Sequence, residues 1–258
     1  MSNEMFQTPT SETLFIPLAV RAMETKRSNP VLRDEKAVDI LMQAEKPDII
    51  VDGGWMAAHG ILARTKVIDE EIKGILLNRP DTVSINLGAG LDTRISRIDN
   101  GRLKCFELDF PDVIALRRKY FSENERIRFI EKSILDDTWT RELGDINGDN
   151  AVIVAEGLLM YFTADDAKRI FQMLTGRFPG ALMYFDVVHS FFVSKGINST
   201  FLWGLDKASD IGAINTNIRL VRSWSTGDLL KERQSRFFRI MNVLPSTRNR
   251  SQILCVRL

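Results

Sequence analysis

The chain has 258 residues, 44% hydrophobic and 27% charged, a balance that suits a soluble globular protein with a full core: one α/β domain with additions, or at most two small domains. Its 35 basic and 34 acidic side chains nearly cancel, which argues against a broad electrostatic surface for nucleic acid or anionic lipid. Met1–Thr13 lacks the basic start and apolar block of a signal peptide, and no run approaches the roughly 18 to 20 apolar residues of a membrane helix, so a cytoplasmic protein is expected.

Thr10 to about Lys26 reads as a helix, with Leu14, Phe15, Leu18, Ala22 and Met23 at helical spacing, stopped at Asn29-Pro30. Arg33–Ala44 gives a second helix, Asp52-Gly53-Gly54 a turn, and about Met56–Leu77 a longer helix ended by Asn78-Arg79-Pro80. Residues 1–80 are therefore expected to form a helical cap packed on the core, ahead of a second unit at 81–258. From Thr82 the pattern alternates. Strands are predicted at Val83–Leu87, Leu103–Asp109, Ile127–Glu131, Asn150–Glu156 and Ala181–Val188, with a basic amphipathic helix after Phe110-Pro111 and a helix over Thr163–Phe178. Strands and helices at this spacing mean a doubly wound parallel sheet. Beyond Val188, residues 190–217 read as a partly helical insertion over the site and Ser225–Arg233 as a short helix. Arg236–Leu244 and Ser251–Leu258 read as two strands, which so short a connection forces to pair antiparallel. Cys105 and Cys255 sit in apparent strands and read as buried thiols, with no disulfide framework and no metal site.

The organising stretch is Val83–Arg94. A β-branched strand breaks into Gly88-Ala89-Gly90, and Asp92-Thr93 can cap a new helix, so a ligand can approach the backbone at the C-terminal edge of the sheet. Thr93 stands where a dinucleotide fingerprint has its third glycine, which weakens the alternative of a nicotinamide-dependent oxidoreductase. Asp109 ends the second strand about twenty residues later, where a carboxylate can accept both hydroxyls of a ribose; Glu107, two positions back, is its substitute.

Leu87-Gly88-Ala89-Gly90-Leu91-Asp92-Thr93-Arg94 resembles the leucine carboxyl methyltransferase family, whose bacterial members include O-methyltransferases of polyketide biosynthesis. Further blocks agree in order: Ala63-Arg64-Thr65 with Ile68-Asp69, Phe106–Pro111, Ser133-Ile134-Leu135-Asp136 with Trp139, and Ala155–Tyr161. The resemblance spans roughly Thr13–Val188. It implies a seven-stranded, Rossmann-like methyltransferase sheet with its last strand antiparallel, and S-adenosylmethionine as cofactor. It also implies that Arg64 pairs with the cofactor's carboxylate, that Gly88, Ala89 and Gly90 face its methionine part, and that Ser133 and Ile134 contact adenine. Ser133 departs from the Asp of some members, and Asp136 is the nearby alternative. Glu156, abutting Val152–Ala155, would reach the cofactor's ammonium from the sheet edge.

The expected reaction is a direct displacement of the sulfonium methyl by an acceptor oxygen on a small molecule, a carboxylate or a hydroxyl, yielding S-adenosylhomocysteine. A carboxylate needs no base. A phenol or alcohol does, and Tyr161, Asp186 and His189, just beyond the fourth and fifth strands, are the catalytic candidates. His59 reads as structural or exposed, and the phenylalanines and Trp203 after residue 190 as core or as a substrate box. A non-catalytic S-adenosylmethionine-binding protein is the remaining alternative.

Overall fold

The computed structural model describes residues 13–45, 54–194, 200–242 and 248–258. Seven strands form one sheet: β1 (Val83–Leu87), β2 (Lys104–Asp109), β3 (Ile127–Glu131), β4 (Ala151–Ala155), β5 (Leu182–Val188), β6 (Arg219–Ser225) and β7 (Ser251–Arg257). Their order is β3-β2-β1-β4-β5-β7-β6. β1 to β5 pair in parallel, and β7 is antiparallel to both β5 and β6, so the last strand is the reversed one, as expected.

Two cores follow from the period of two along each strand. Ile153 and Ala155 of β4 point into one core, shared with Ile85, Phe185, the buried Trp139 and helix α6 (Ala164–Arg177). Val152 and Val154 point into the other, shared with Ile68, Ile72 and Leu76 of α3 (Gly54–Asn78) and Ile95 and Ile98 of α4 (Arg94–Ile98). Both faces of β4 are covered, which is why it reads as an unbroken apolar run. Helices α1 (Phe15–Thr25) and α2 (Glu35–Gln43) pack on each other through Phe15, Leu18, Ala37 and Ile40, and reach Leu91 in the loop after β1. α5 (Pro111–Arg117) follows β2 with proline at its first position, where the missing N–H costs nothing.

The chain after β5 departs from expectation. Residues 236–241, predicted as strand, form helix α9 (Arg236–Met241), because the Ser235 hydroxyl accepts the Phe238 N–H at 3.2 Å and caps it. The partner of β7 is instead β6, which lies at the sheet edge with Leu220 and Val221 both exposed. With no buried face it carries no alternation to read. Ser225–Arg233 holds two short 3-10 turns rather than one helix. Residues 190–217 contribute α7 (Ser190–Ser194) and α8 (Ile211–Ile214). The predicted starts at Thr10 and Asp52, and the turn at Pro245, lie outside the described residues. Cys105 and Cys255 are buried, free thiols in β2 and β7.

The connections leave β1 toward β2 on one side and toward β4 on the other, so the crevice between β1 and β4 is the topological switch point where open α/β sheets bind ligands. The C-terminal ends of β1 to β5 and the start of β7 share that edge.

Candidate active site

The turn after β1 is shaped by glycine. Gly88 has φ +66°, a region other residues rarely adopt, and a Cβ there would lie 2.7 Å from Leu158 Cδ1, so the missing side chain lets Leu158, from the loop after β4, pack directly on the turn. Gly90 donates its N–H to Asp109 Oδ2 at 2.7 Å, and Phe110 N–H bonds Asp109 Oδ1 at 2.8 Å. The ends of β1 and β2 are thereby clasped by one carboxylate. Burial raises the Asp109 pKa, opposed by those two N–H groups. Each oxygen keeps a second lone pair, the geometry a ribose diol requires. Glu107 does not compete: it is buried, accepts Asn86 Nδ2 at 2.8 Å and pairs with Arg117 at 3.3 Å.

Arg64, on α3, reaches under the ends of β4 and β5. Its Nε donates to Glu156 Oε1 at 3.0 Å and its Nη1 to Asp186 Oδ2 at 2.9 Å. Burial works against its charge, but Asp186 and Glu156 outweigh it and raise its pKa. Glu156 also accepts Thr65 Oγ1 at 3.0 Å and a close bond from Arg94 Nη2. Burial would raise the Glu156 pKa; Arg94 and Arg64 overcome this and hold it below its ordinary value. Gly157, with φ +67°, admits the Arg64 guanidinium, whose Nη2 lies 2.7 Å from where a Cβ would stand.

Asp186 is buried, and its Oδ1 accepts Gly157 N–H at 2.6 Å. His189 Nδ1 accepts Phe191 N–H at 3.1 Å, with Asp206 Oδ1 3.5 Å away. Tyr161 packs edge-on against Phe201, and burial, opposed by Arg64 and reinforced by Asp186, raises its phenol pKa. Ser133 and Ile134 follow β3, the strand beside β2. Ser133 Oγ accepts Leu135 N–H at 3.2 Å, whereas the Ile134 side chain belongs to the core and its carbonyl takes Trp139 Nε1 at 3.2 Å. Asp136 caps the following turn through Thr138 N–H. His59 is buried and bonded to the Leu229 carbonyl at 3.1 Å, and Trp203 is core against Phe171, while Phe191 is exposed.

The predicted residues therefore line one edge from β3 to β5, with the acidic and basic groups of β4, β5 and α3 in direct contact. Strands β3 and β4 are three sheet spacings apart, about 14 Å, a span comparable to an extended nucleoside with an amino-acid tail. Four contributors went unassigned in the sequence: Asp69, Asp92, Arg94 and Arg117. Asp92 Oδ2 and Asp69 Oδ1 both hold Arg94, at 2.7 and 2.9 Å, and the fully buried Arg117 binds the carbonyls of Gly90 and Asp92 at 3.0 Å each. Asp92 and Arg94 stand within the quoted motif; an arginine in a basic helix gives no sign that it will be buried.

The donor set fits S-adenosylmethionine. Followed through its contacts, the cluster joins Arg21, Arg64, Arg94 and Arg97 to Asp34, Asp69, Asp92, Glu156 and Asp186, leaving one negative charge over. A sulfonium nucleotide with an ammonium and a carboxylate brings a net single positive charge.

A profile of the leucine carboxyl methyltransferase family matches residues 15–175. The chain is 26% identical over 226 residues to the tetracenomycin polyketide synthesis O-methyltransferase TcmP of Streptomyces glaucescens, covering 84% of this chain and 83% of that one. It is 26% identical over 239 residues to the S-adenosyl-L-methionine-dependent methyltransferase dpfgK of Gibberella zeae, covering 79% and 78%. A solved chain from Listeria monocytogenes, provisionally described as an S-adenosylmethionine dependent methyltransferase, shares the fold with a TM-score of 0.51 at 12% identity, over 76% of this chain and 98% of that one. Fold, motif order and site chemistry agree, and the nicotinamide alternative is set aside: the chain belongs to the leucine carboxyl methyltransferase family of S-adenosylmethionine-dependent methyltransferases.

Proposed function

We propose that this enzyme methylates an ionised carboxylate oxygen of a small molecule, using S-adenosylmethionine held by Gly88, Ala89, Gly90, Asp109, Ser133, Ile134, Arg64 and Glu156. The cofactor supplies a methyl already activated on sulfonium sulfur, so the chain's task is alignment and exclusion of water. Asp109 receives the ribose hydroxyls, the backbone of Gly88–Gly90 meets the methionine part, and the backbone after β3 meets the base. Arg64 offers Nη2, which bonds no protein atom among the described residues, to the cofactor's carboxylate. Glu156, fixed by Arg64, Thr65 and Arg94, faces the ammonium.

One observation carries the choice of acceptor: both candidate bases are already engaged by the protein, Asp186 as counter-ion of the Arg64 guanidinium and His189 through its Nδ1. Asp186 is committed to Arg64 and Gly157 N–H. The His189 Nδ1 lone pair accepts the Phe191 N–H, which leaves Nε2 as the donor nitrogen of the ring. Tyr161, with its pKa raised, likewise stays protonated and donates. A phenol or alcohol acceptor would have to draw its base from these engaged groups, whereas a carboxylate arrives ionised. Tyr161 and His189 then orient the acceptor, and Asp186 keeps Arg64 in place. In this reading residues 1–80 cap the unit formed by 81–258, and the insertion at 190–217 covers the acceptor. No helix among the described residues is long and apolar enough to cross a membrane. Free buried cysteines in separate strands support work in the reducing cytoplasm.

The test supplies methyl-labelled S-adenosylmethionine with a panel of aromatic and aliphatic acids beside the matching alcohols and phenols. Label that mild base releases as methanol marks a methyl ester and supports the reading. Label retained through base marks an ether and overturns it.

A further inference from the structure

The motif residues Asp92-Thr93-Arg94 face two ways. Asp92 and Arg94 turn to the sheet edge, where Arg94 bonds Glu156. Thr93 turns to α1 and α2. Its hydroxyl donates to Asp34 Oδ2 at 2.5 Å and accepts from Arg97 Nη1 at 2.5 Å and from Arg21 Nη2 at 3.3 Å. One hydroxyl has one proton to give and two lone pairs to receive with, so Thr93 is saturated. It is fully buried.

Asp34 gathers the other ends of these contacts. Besides Thr93 it accepts Arg21 Nε at 2.7 Å and Arg97 Nη1 at 2.9 Å, and its Oδ1 caps α2 through Ala37 N–H at 3.0 Å. Arg97 continues the path: its Nε bonds Asp69 Oδ2 at 2.6 Å, and Asp69 Oδ1 receives Arg94 Nε at 2.9 Å. An unbroken chain of charged hydrogen bonds therefore runs from the α1–α2 pair through Asp34, Thr93, Arg97, Asp69 and Arg94 to Glu156 and Arg64. Buried ionic networks add little net stability, because desolvation offsets attraction; what they fix is geometry.

We infer that Thr93 and Asp34 are positioning residues of the cofactor site, acting through Arg97, Asp69 and Arg94 to set the Glu156 carboxylate, and that the α1–α2 pair is thereby part of that site. The inference rests on the cofactor reading above but adds residues that touch no cofactor. A helix pair keyed in this way responds to the ligand in turn, since coupling between two places is reciprocal.

Binding of S-adenosylhomocysteine is measured by calorimetry on the full chain. Thr93→Val keeps the side-chain shape, removes the hydroxyl, and is expected to weaken binding three- to tenfold while the far-ultraviolet spectrum stays native; Thr93→Ser should come within twofold of the unchanged protein. In a double-mutant cycle, Thr93→Val and Glu156→Gln together should cost clearly less than the product of their separate effects, because both act on the same carboxylate. Hydrogen exchange of residues 15–43 should slow when S-adenosylhomocysteine is added. A purely structural threonine would lower the melting temperature yet leave affinity intact and combine multiplicatively with Glu156→Gln; either result overturns the inference. If Thr93→Val does not fold, Arg21→Met takes its place with the same expectations. Failure of the cofactor reading looks different: Glu156→Gln and Asp109→Ala would then bind S-adenosylhomocysteine as tightly as the unchanged chain.

Discussion

Asp109 Oδ2 accepts the Gly90 N–H at 2.7 Å, so the carboxylate closing β2 is built into the glycine turn that closes β1. The carboxylate that shapes the turn is the one proposed to receive the ribose. Asp109→Ala is expected to weaken S-adenosylmethionine binding at least tenfold, about 1.4 kcal/mol or more. Calorimetric titration checks this, and unchanged affinity would place the ribose elsewhere.

Arg64 is held by two acids and admitted by Gly157. Arg64→Ala should likewise cost at least tenfold in cofactor affinity, and Arg64→Lys should restore little of it, since an ammonium cannot reproduce the forked contact to Glu156 and Asp186. Gly157→Ala adds a Cβ in the space of the guanidinium at φ +67°, so its affinity loss should resemble that of Arg64→Ala. Binding by Gly157→Ala at full strength would show that the guanidinium need not occupy that notch.

The pH dependence of stability follows from the cluster. For Asp34, Asp92 and Glu156, burial pushes toward the neutral acid, but the surrounding arginines prevail and hold all three below their ordinary values near 3.8 and 4.5. Groups depressed in the folded state contribute stability that is fully present above those ordinary values and is lost as the pH falls through the folded-state pKa. The melting temperature should therefore hold from neutrality down to about pH 5 and drop steeply below about pH 4. Asp109, raised by burial, works in the opposite sense and softens the drop. A melting temperature flat down to pH 3 would refute the arginine-held cluster.

Arg250 stacks on the Phe238 ring at 4.1 Å, yet its Nη1 and Nη2 are buried with no hydrogen-bond partner among the described residues, and burial lowers its pKa to about 10. An unpaired buried donor costs about 1–3 kcal/mol, more for a charged group, which exceeds the roughly 1 kcal/mol of a cation–π contact. Arg250→Met is expected to raise the melting temperature by about 2–4 °C, the shift a gain near 1 kcal/mol gives a chain of this size. Scanning calorimetry decides it; a lower melting temperature would mean the guanidinium is satisfied.

The sequence alone determined the parallel core and marked the sheet edge at which the cofactor site is proposed. β1 to β5 and α6 were legible because their apolar runs and caps are local signals, and a glycine turn followed twenty residues later by Asp109 is a spacing that survives without coordinates. The edge strand β6 was not legible, since Leu220 and Val221 bury no face, and Ser235 turned an apparent strand into α9. What only the tertiary structure decided is the state of the ionisable groups. That Arg64 is shared by Glu156 and Asp186, and that Thr93 looks away from the site toward Asp34, depend on contacts between residues up to 122 positions apart. The charge and hydrogen-bonding capacity of a side chain are set by what the fold brings within about 3 Å of it, and that distance is not written in the order of the chain.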